Sequence, residues 1–297
     1  MYITDFIEYL EMEKNYSPHT LLAYKKDVEA FAEFVAKPKI SNLDYKDIRS
    51  WIVSLVEEGL SNRSVNRKVA SLKAYYNYLV KLQYIETNPL LYHQVLKTES
   101  KLQLPFSHIE MEEAFDAMEK QVKEADDFES LRDLLIVSLL YASGMRRAEL
   151  MAIDIKDIDL SHKQILVKGK GSKVRLLPLL PWIVDLIKEY LQEREKLNKI
   201  EDKEAFLLTA KGKRIYPTLI YRVVNSLFKQ ITGKQTTSPH ILRHTFATHL
   251  LDEGADLLSI KELLGHASLG STQVYVHNSL EKIQRVYTMM HPRSKKK

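Results

Sequence analysis

LRDLLIVSLLYASGMRRAEL, residues 131–150, joins a nearly continuous apolar run to two arginines and an acid. The run from Leu131 to Tyr141 predicts a helix buried in a protein core, because apolar side chains fall on all of its faces. Gly144 ends the helix, since glycine readily takes the left-handed conformation found after a helix C-terminus. Glu149 lies three residues after Arg146, which is the spacing of an ion pair along one turn of helix.

The composition of the whole chain limits the class of protein. Of its 297 residues, 45% are hydrophobic and 28% charged, which is typical of globular proteins and enough for one large or two ordinary domains. The absence of cysteine excludes disulfides, thiolate metal sites and cysteine nucleophiles. No apolar run reaches the roughly 18 residues of a membrane-spanning helix, and the first residues lack the pattern of a signal peptide. We therefore expect a cytoplasmic protein with no membrane contact.

The first hundred residues predict a helical domain. Segments 3–10, 17–35, 47–59 and 61–79 each carry apolar side chains at helical spacing. The periodicity then fades in a polar stretch with prolines at its two ends. We expect a first domain over residues 1–97, a linker over 98–106 and a second domain over 107–297.

Two stretches concentrate positive charge without any acid, namely residues 61–81 and 163–175. Such patches fit a polyanionic partner, although either alone could equally be a solvated surface. In the first, cationic and polar side chains cover the surface of the fourth helix away from its apolar stripe, which makes this helix the candidate DNA-facing element. The candidate DNA contacts are Arg63, Asn66, Arg67, Lys73 and, from the second stretch, Lys173.

The second domain is predicted to be mainly helical with a small β-hairpin. Residues 107–110 form a capping box that opens a helix before the core helix. Segments 164–168 and 174–177 flank a glycine-containing loop, the pattern of a hairpin. Helical spacing resumes at residue 181 and continues in segments 217–231, 239–253 and 257–264.

Several chemistries are excluded by missing motifs. Four histidines lie between residues 240 and 266, but no acid separates His240 from His244 as a zinc-protease motif requires. The chain has no Gly-x-Ser-x-Gly, and Gly169-Lys170-Gly171 is too short for a nucleotide-binding loop. We expect neither a metal nor a nucleotide cofactor.

With these chemistries excluded, the side chains that could carry a reaction are a set of cations and one tyrosine, which occur in a distinctive order. The segments are Gly144-Met145-Arg146-Arg147-Ala148-Glu149-Leu150, Gly169-Lys170-Gly171, His240-Ile241-Leu242-Arg243-His244, Leu264-Gly265-His266 and Gln273-Val274-Tyr275. With these the chain resembles the tyrosine recombinases, and among them the Xer type. Residues 16–31 resemble the opening of the family's N-terminal domain. The resemblance implies a SAM-like helical core-binding domain followed by a mixed α/β catalytic domain.

The resemblance also implies a catalytic set, and each residue type suits the reaction. Guanidinium groups match the charge on the non-bridging oxygens of an attacked phosphodiester, as Arg146 and Arg243 would do. A tyrosine must lose its proton to attack, and nearby cations favour the phenolate, which suits Tyr275 as nucleophile. The full implied set is Arg146, Lys170, His240, Arg243, His266 and Tyr275.

Other roles follow from the resemblance or stay open. Lys170, on the hairpin, is the implied general acid, selected from the nearby Lys168 and Lys173 only by the Gly-Lys-Gly pattern. His240 and His266 would either donate to phosphate oxygens or move the tyrosyl proton. Glu149 is expected to contact the catalytic residues without touching the substrate, and His244 and His249 are expected to be structural or to support the catalytic residues in the same way.

The expected function is to cut and rejoin double-stranded DNA through a 3′-phosphotyrosyl intermediate, without a cofactor. The Xer resemblance favours resolution of chromosome dimers at a dif-like site. It implies a homo-tetramer, or a hetero-tetramer with a second Xer-type recombinase, and coupling to a division-linked DNA translocase. The alternatives are an integrase or transposase of a mobile element, a type IB topoisomerase, and a catalytically silent DNA-binding protein.

After residue 275, a short apolar stripe precedes a basic end. Leu280, Ile283 and Val286 fall at helical spacing, which fits a terminal helix packed on its own domain or donated to a neighbour. The resemblance favours donation within a cyclic tetramer.

Overall fold

The computed structural model describes residues 2–35, 43–98, 104–169, 174–233, 237–265 and 293. The chain divides into two compact units, Met1–Leu102 and Gln103–Lys297. Within the described ranges, no helix is both long and apolar enough to cross a membrane.

The first unit contains the four predicted helices. They are α1 (Ile3–Met12), α2 (Pro18–Val35), α3 (Tyr45–Glu57) and α4 (Asn62–Lys81). Local signals set their ends: Asp44 caps the start of α3 in a capping box with Asp47, and Ser61 accepts the Ser64 amide at the start of α4. Their apolar faces meet in one core that contains several large aromatic side chains, among them Phe6, Phe31, Trp51, Tyr75 and Tyr76.

The second unit is mainly helical. Its helices are α5 (His108–Ala125), α6 (Phe128–Ser143), α7 (Arg147–Met151), α8 (Pro181–Glu195), α9 (Pro217–Thr232), α10 (Pro239–Asp252) and α11 (Leu257–Leu264). Together with the hairpin below, they confirm the predicted fold class. Three of them begin with a proline in the first turn, where no backbone N–H is needed.

A three-stranded antiparallel sheet contains the predicted hairpin. The strands are β1 (Ile158–Asp159), β2 (Gln164–Lys168) and β3 (Val174–Pro178), in the order β1-β2-β3. Strands β2 and β3 are paired along their whole length, from Gln164 opposite Pro178 to Lys168 opposite Val174. The hairpin prediction is confirmed, whereas β1 was not predicted, because two residues are too few to show an alternating pattern.

Helix α6 is the centre of the second unit's core, as its composition predicts. From Ser130 to Ser143 every side chain except that of Asp133 is buried. Gly144 ends the helix at φ +60°, and a Cβ there would lie 2.8 Å from Leu264 Cδ2 and closer still to the ring of Phe246. Glycine therefore lets α10 and α11 approach the end of α6.

A buried histidine fixes the start of the second unit. His249 on α10 hydrogen-bonds through Nε2 to the Phe106 carbonyl (2.8 Å) and through Nδ1 to the Tyr141 hydroxyl (2.9 Å). Because a carbonyl can only accept, Nε2 carries the proton and Nδ1 accepts from the tyrosine. Burial, assisted by the neighbouring His108, lowers the pKa of His249 and favours this neutral form. The prediction that His249 is structural agrees with these contacts, whereas His244 is exposed.

Beyond residue 265 the structure describes Arg293. Its guanidinium carbon lies 3.9 Å from the ring centre of Phe115 and 5.1 Å from that of Trp182, and its Nη2 donates to Glu119 Oε1 at 2.6 Å. This residue therefore packs on its own chain. The apolar stripe at 280–287 lies outside the described residues.

The packing at Gly144 yields a test. Gly144→Ala and Gly233→Ala both place alanine after a helix at a left-handed φ, +60° and +64° respectively, but Gly233 has open space around it. Both variants should lose about 1 kcal/mol or slightly more from the left-handed strain. Gly144→Ala should lose roughly 1–3 kcal/mol in addition through overpacking. Urea unfolding of the two variants measures the difference, and equal losses would show that Phe246 and Leu264 yield freely.

Candidate active site

Arg146 and Glu149 pair across the first turn of α7. The Arg146 backbone N–H donates to Glu149 Oε2 at 2.7 Å, and Arg146 Nη1 donates to Oε1 at 2.7 Å. The ion pair that their spacing permits is therefore present. The Arg146 side chain keeps 37% of its surface exposed, while that of Glu149 keeps 5%.

A second arginine, which the sequence did not reveal, binds the same carboxylate. Arg175 on β3 donates from Nη1 (3.1 Å) and Nη2 (2.9 Å) to the two oxygens of Glu149. Burial alone would raise the pKa of Glu149, but the hydrogen bonds from Arg175 and from the Arg146 backbone outweigh it and lower the pKa to about 2. Glu149 is therefore ionised at neutral pH.

A third arginine joins α10 to the ends of two other helices. Arg243 Nη1 donates to the Gly144 carbonyl at 2.6 Å, and Nη2 donates to the Leu264 carbonyl at 2.7 Å. Burial and then the positive charge of Arg146 lower the pKa of Arg243 to about 10. Arg243 is still a cation at neutral pH, and its partner Gly144 lies two residues before Arg146 in the chain.

The remaining predicted catalytic residues divide into one that is described and three that are not. His240 lies in the first turn of α10, exposed and one helical turn before Arg243. Lys170, His266 and Tyr275 lie outside the described residues, as does the candidate DNA contact Lys173. The structure therefore brings Arg146, Glu149 and Arg243 together, and puts His240 on the same helix as Arg243.

Described residues close to Lys170 and His266 in the chain make specific polar contacts. Lys168, at the end of β2, lies 3.5 Å from Asp157 Oδ1, so its charge is engaged by an acid. The Leu263 carbonyl accepts Arg175 Nε at 3.1 Å, while Gly265 has φ +65° and approaches the Arg175 guanidinium. The chain is thus anchored shortly before Lys170 and directly before His266.

The candidate DNA-facing helix α4 presents two arginines in different states. Arg63 is exposed. Arg67 is half-exposed and makes a two-point ion pair with Asp27, whose side chain is only 3% exposed. Lys68 (3.2 Å) and Ser71 (2.8 Å) also donate to Asp27. The buried acid therefore fixes Arg67 in place.

Asn66 and Lys73 lie on another side of α4 and have different surroundings. The Asn66 amide donates to the Leu96 carbonyl (2.8 Å) and accepts the Leu96 N–H (2.9 Å). Asn66 is therefore engaged in holding the chain that follows the helix, and we keep Arg63 and Arg67 as the candidates for DNA contact. Lys73 is half-buried. The pKa of His93 is lowered first by the burial of that histidine and second by the positive charge of Lys73.

Family models match both units. Residues 91–282 match the phage integrase family, and residues 3–83 match the N-terminal SAM-like domain of phage integrases. The chain belongs to the phage integrase family. The predicted resemblance is therefore confirmed.

Two similar proteins identify the type of recombinase within this family. A tyrosine recombinase XerC from Oceanobacillus iheyensis is 37% identical, with 99% of this chain and 97% of the relative covered. Another, from Bacillus subtilis, is 36% identical, with 98% and 96% covered. The chain is thus a tyrosine recombinase of the Xer type, an enzyme that cleaves and rejoins DNA.

Solved structures of other recombinases have a similar fold. The crystal structure of XerA recombinase has a TM-score of 0.50 and 26% identity, with 98% of this chain and 99% of that chain covered. XerH recombinase bound to a palindromic difH substrate has a TM-score of 0.69 and 24% identity, with 97% and 81% covered.

The pKa of Glu149 predicts how acid affects stability. Because its folded pKa, about 2, lies below the ordinary 4.5, ionised Glu149 stabilises the fold above pH 4.5, and this contribution is lost as the pH falls toward 2. Glu149→Gln should lower the free energy of unfolding by roughly 3 kcal/mol at pH 7, because the arginines lose their buried counter-charge. The deficit should shrink between pH 4.5 and 2.

Urea titrations from pH 7 to 3 would measure this change. The matched control is Asp185→Asn, whose carboxylate is 75% exposed and pairs with Lys188, and which should change stability little at any pH. A Glu149→Gln deficit that did not vary with pH would contradict the argument.

The contacts on α4 predict opposite phenotypes for two neighbouring substitutions. Arg63→Ala should weaken DNA binding and reduce its salt slope by about 1, because one phosphate contact is lost. Asn66→Ala should leave the salt slope unchanged but lower stability by about 1–2 kcal/mol through two lost hydrogen bonds. Binding titrations at several salt concentrations, together with urea unfolding, separate the two. A reduced salt slope in Asn66→Ala would instead make Asn66 a DNA contact.

Proposed function

We propose that this recombinase acts at a dif-like site, with Tyr275 as its nucleophile, and resolves dimers of circular chromosomes. The observation that carries the chemistry is a cluster of arginines: Arg146 and Arg175 bind the carboxylate of Glu149, and Arg243 binds the nearby carbonyls of Gly144 and Leu264. Within the described part of this site, the three arginines and the one acid leave an excess of positive charge. An excess of fixed positive charge is what a phosphodiester needs as it is attacked, because negative charge accumulates on its non-bridging oxygens.

The proposed reaction balances without a cofactor. The Tyr275 phenolate oxygen forms a bond to phosphorus, and the bond from phosphorus to the 5′ oxygen breaks. The 5′ oxygen takes a proton from Lys170, which gives a free 5′ hydroxyl and a 3′-phosphotyrosyl diester. In the rejoining step a 5′ hydroxyl from the partner duplex gives its proton to the neutral Lys170 amine and attacks the phosphorus, while the bond from phosphorus to the Tyr275 oxygen breaks and Tyr275 leaves as the phenolate. One phosphodiester is exchanged for another, so the energy of the bond is conserved.

The proposed division of roles follows from where the charges lie. Arg146 is part-exposed and held by Glu149, so it can donate to phosphate oxygens with little reorganisation. Arg243 stays protonated despite its lowered pKa. His240, exposed one turn before it, and His266 would donate to the phosphate or move the tyrosyl proton.

The proposed partners follow from the relatives. The similar proteins carry the name XerC, and a structural relative is bound to a difH substrate. We propose that the chain assembles on DNA as a homo-tetramer, or as a hetero-tetramer with a second Xer-type recombinase, and that a division-linked DNA translocase activates it in the cytoplasm. The full-length match to XerC proteins favours this role over that of a mobile-element integrase.

A covalent trapping experiment tests the proposal. Tyr275→Phe should bind a nicked dif-like suicide duplex but form no denaturant-resistant adduct, because only the attacking oxygen is removed. Tyr92→Phe, which loses the same atom from a side chain that is 91% exposed in the first unit, should form the adduct normally. Wild-type adduct formation should also persist in excess EDTA. An adduct with Tyr275→Phe on a denaturing gel would refute the assignment of the nucleophile.

A further inference from the structure

Arg175 donates to two separate parts of the catalytic unit. Nη1 and Nη2 bind the carboxylate of Glu149, at 3.1 and 2.9 Å, while Nε binds the Leu263 carbonyl at 3.1 Å. Its side chain is 15% exposed. Since each of its three nitrogens donates within the protein, Arg175 is placed to organise the site rather than to contact the substrate.

Arg175 makes these contacts from a strand of the hairpin. Arg175 lies on β3, opposite Val167 of β2, and β2 ends two residues before Lys170. A change in the position of β3 therefore moves its partner β2, whose last residue comes two positions before Lys170 in the chain. The bond to Glu149 ties this strand pair to α7, where the same carboxylate holds Arg146.

The contact with Leu263 ties the hairpin to α11 as well. Consecutive carbonyls at the end of α11 are held by two arginines, Leu263 by Arg175 and Leu264 by Arg243. Gly265 follows, and a Cβ there would lie 3.0 Å from Arg175 Nη1, so the backbone passes directly against the guanidinium. This turn is the last described point before His266.

We infer that Arg175 is a positioning residue that sets the hairpin, and with it the general acid Lys170, against the phosphate-binding arginines. The inference rests on the proposed role of Lys170. It follows from one side chain that bridges three elements of the site: the hairpin strand, the carboxylate that holds Arg146, and the backbone before His266. Lysine at this position keeps the charge but lacks the planar fork, so it cannot reproduce the two-point contact with Glu149 together with the contact from Nε to Leu263.

The test uses a leaving group that needs no proton. On ordinary DNA, Arg175→Gln should slow single-turnover adduct formation by about 100-fold, as misplacement of a catalytic group does. Replacing the scissile 5′ oxygen by sulfur should restore most of the rate in Arg175→Gln and also in Lys170→Ala. Arg175→Lys should be intermediate, and all three should bind a half-site like the wild type.

Arg194→Gln is the matched control. Arg194 is a buried arginine on α8 that donates to the carbonyls of Lys203 (3.2 Å) and Ala205 (3.0 Å), and among the described residues it makes no hydrogen bond or ion pair with Arg146, Glu149, Arg175 or Arg243. Its loss should lower stability as the loss of Arg175 does, but leave the adduct rate unchanged below the unfolding transition. If Arg175→Gln does not fold, Arg175→Lys supplies the comparison of the two substrates.

The outcomes separate this inference from the proposed function. Sulfur that restores Lys170→Ala but not the Arg175 variants would overturn the inference alone, as would an equal slowing by Arg194→Gln. Sulfur that fails to restore Lys170→Ala would remove the general acid and overturn both. An adduct formed by Tyr275→Phe would refute the proposed nucleophile without bearing on Arg175.

Discussion

A single buried carboxylate makes the catalytic unit possible. Guanidinium groups repel one another, and confining three of them in one partly buried region is unfavourable unless a counter-charge is buried with them. Glu149 supplies that charge, and the hydrogen bonds from its neighbours keep it ionised. Burial and then the positive charge of Arg146 lower the pKa of Arg243, which is still a cation at neutral pH, so the three arginines carry more charge than this carboxylate offsets. The remaining positive charge is available to a phosphate.

The arginine cluster in turn depends on close packing of helices. Arg243 reaches the Gly144 carbonyl only because α10 lies against the end of α6, and a side chain at residue 144 would meet Phe246 and Leu264. The core helix therefore does more than fill the interior. The carbonyl of Gly144, which follows it, is a partner of Arg243, an arginine that we propose binds the phosphate, so packing and the proposed chemistry both depend on this glycine.

Features that depend on local sequence could be predicted. The helices, their caps and the hairpin follow from periodicity, from Ser or Asp at helix starts and from glycine at helix ends, and the Arg146–Glu149 pair follows from helical spacing. In each case the interacting residues are close in the chain, so the pattern and the contact coincide.

Features that depend on tertiary contacts could not be predicted. Arg175 is separated by 26 residues from Glu149 and by 88 from Leu263, and nothing in its neighbourhood marks it among other basic residues. Asn66 is another example, because an asparagine on a basic helix fits a DNA contact until its partner, 30 residues away, is known. The glycine at residue 265 was the available signal, since a required glycine indicates that something packs closely against the backbone.

The contacts of α4 with the chain that follows it shorten the connection between the two units. Asn62 holds the Lys97 carbonyl and Thr245 holds the Phe106 amide, so the tether between fixed points runs from Lys97 to Phe106. Such a segment spans at most roughly 30 Å. Losing Asn62 or Thr245 would release further backbone from its own unit, so these two side chains set how much chain is left free between the anchored points.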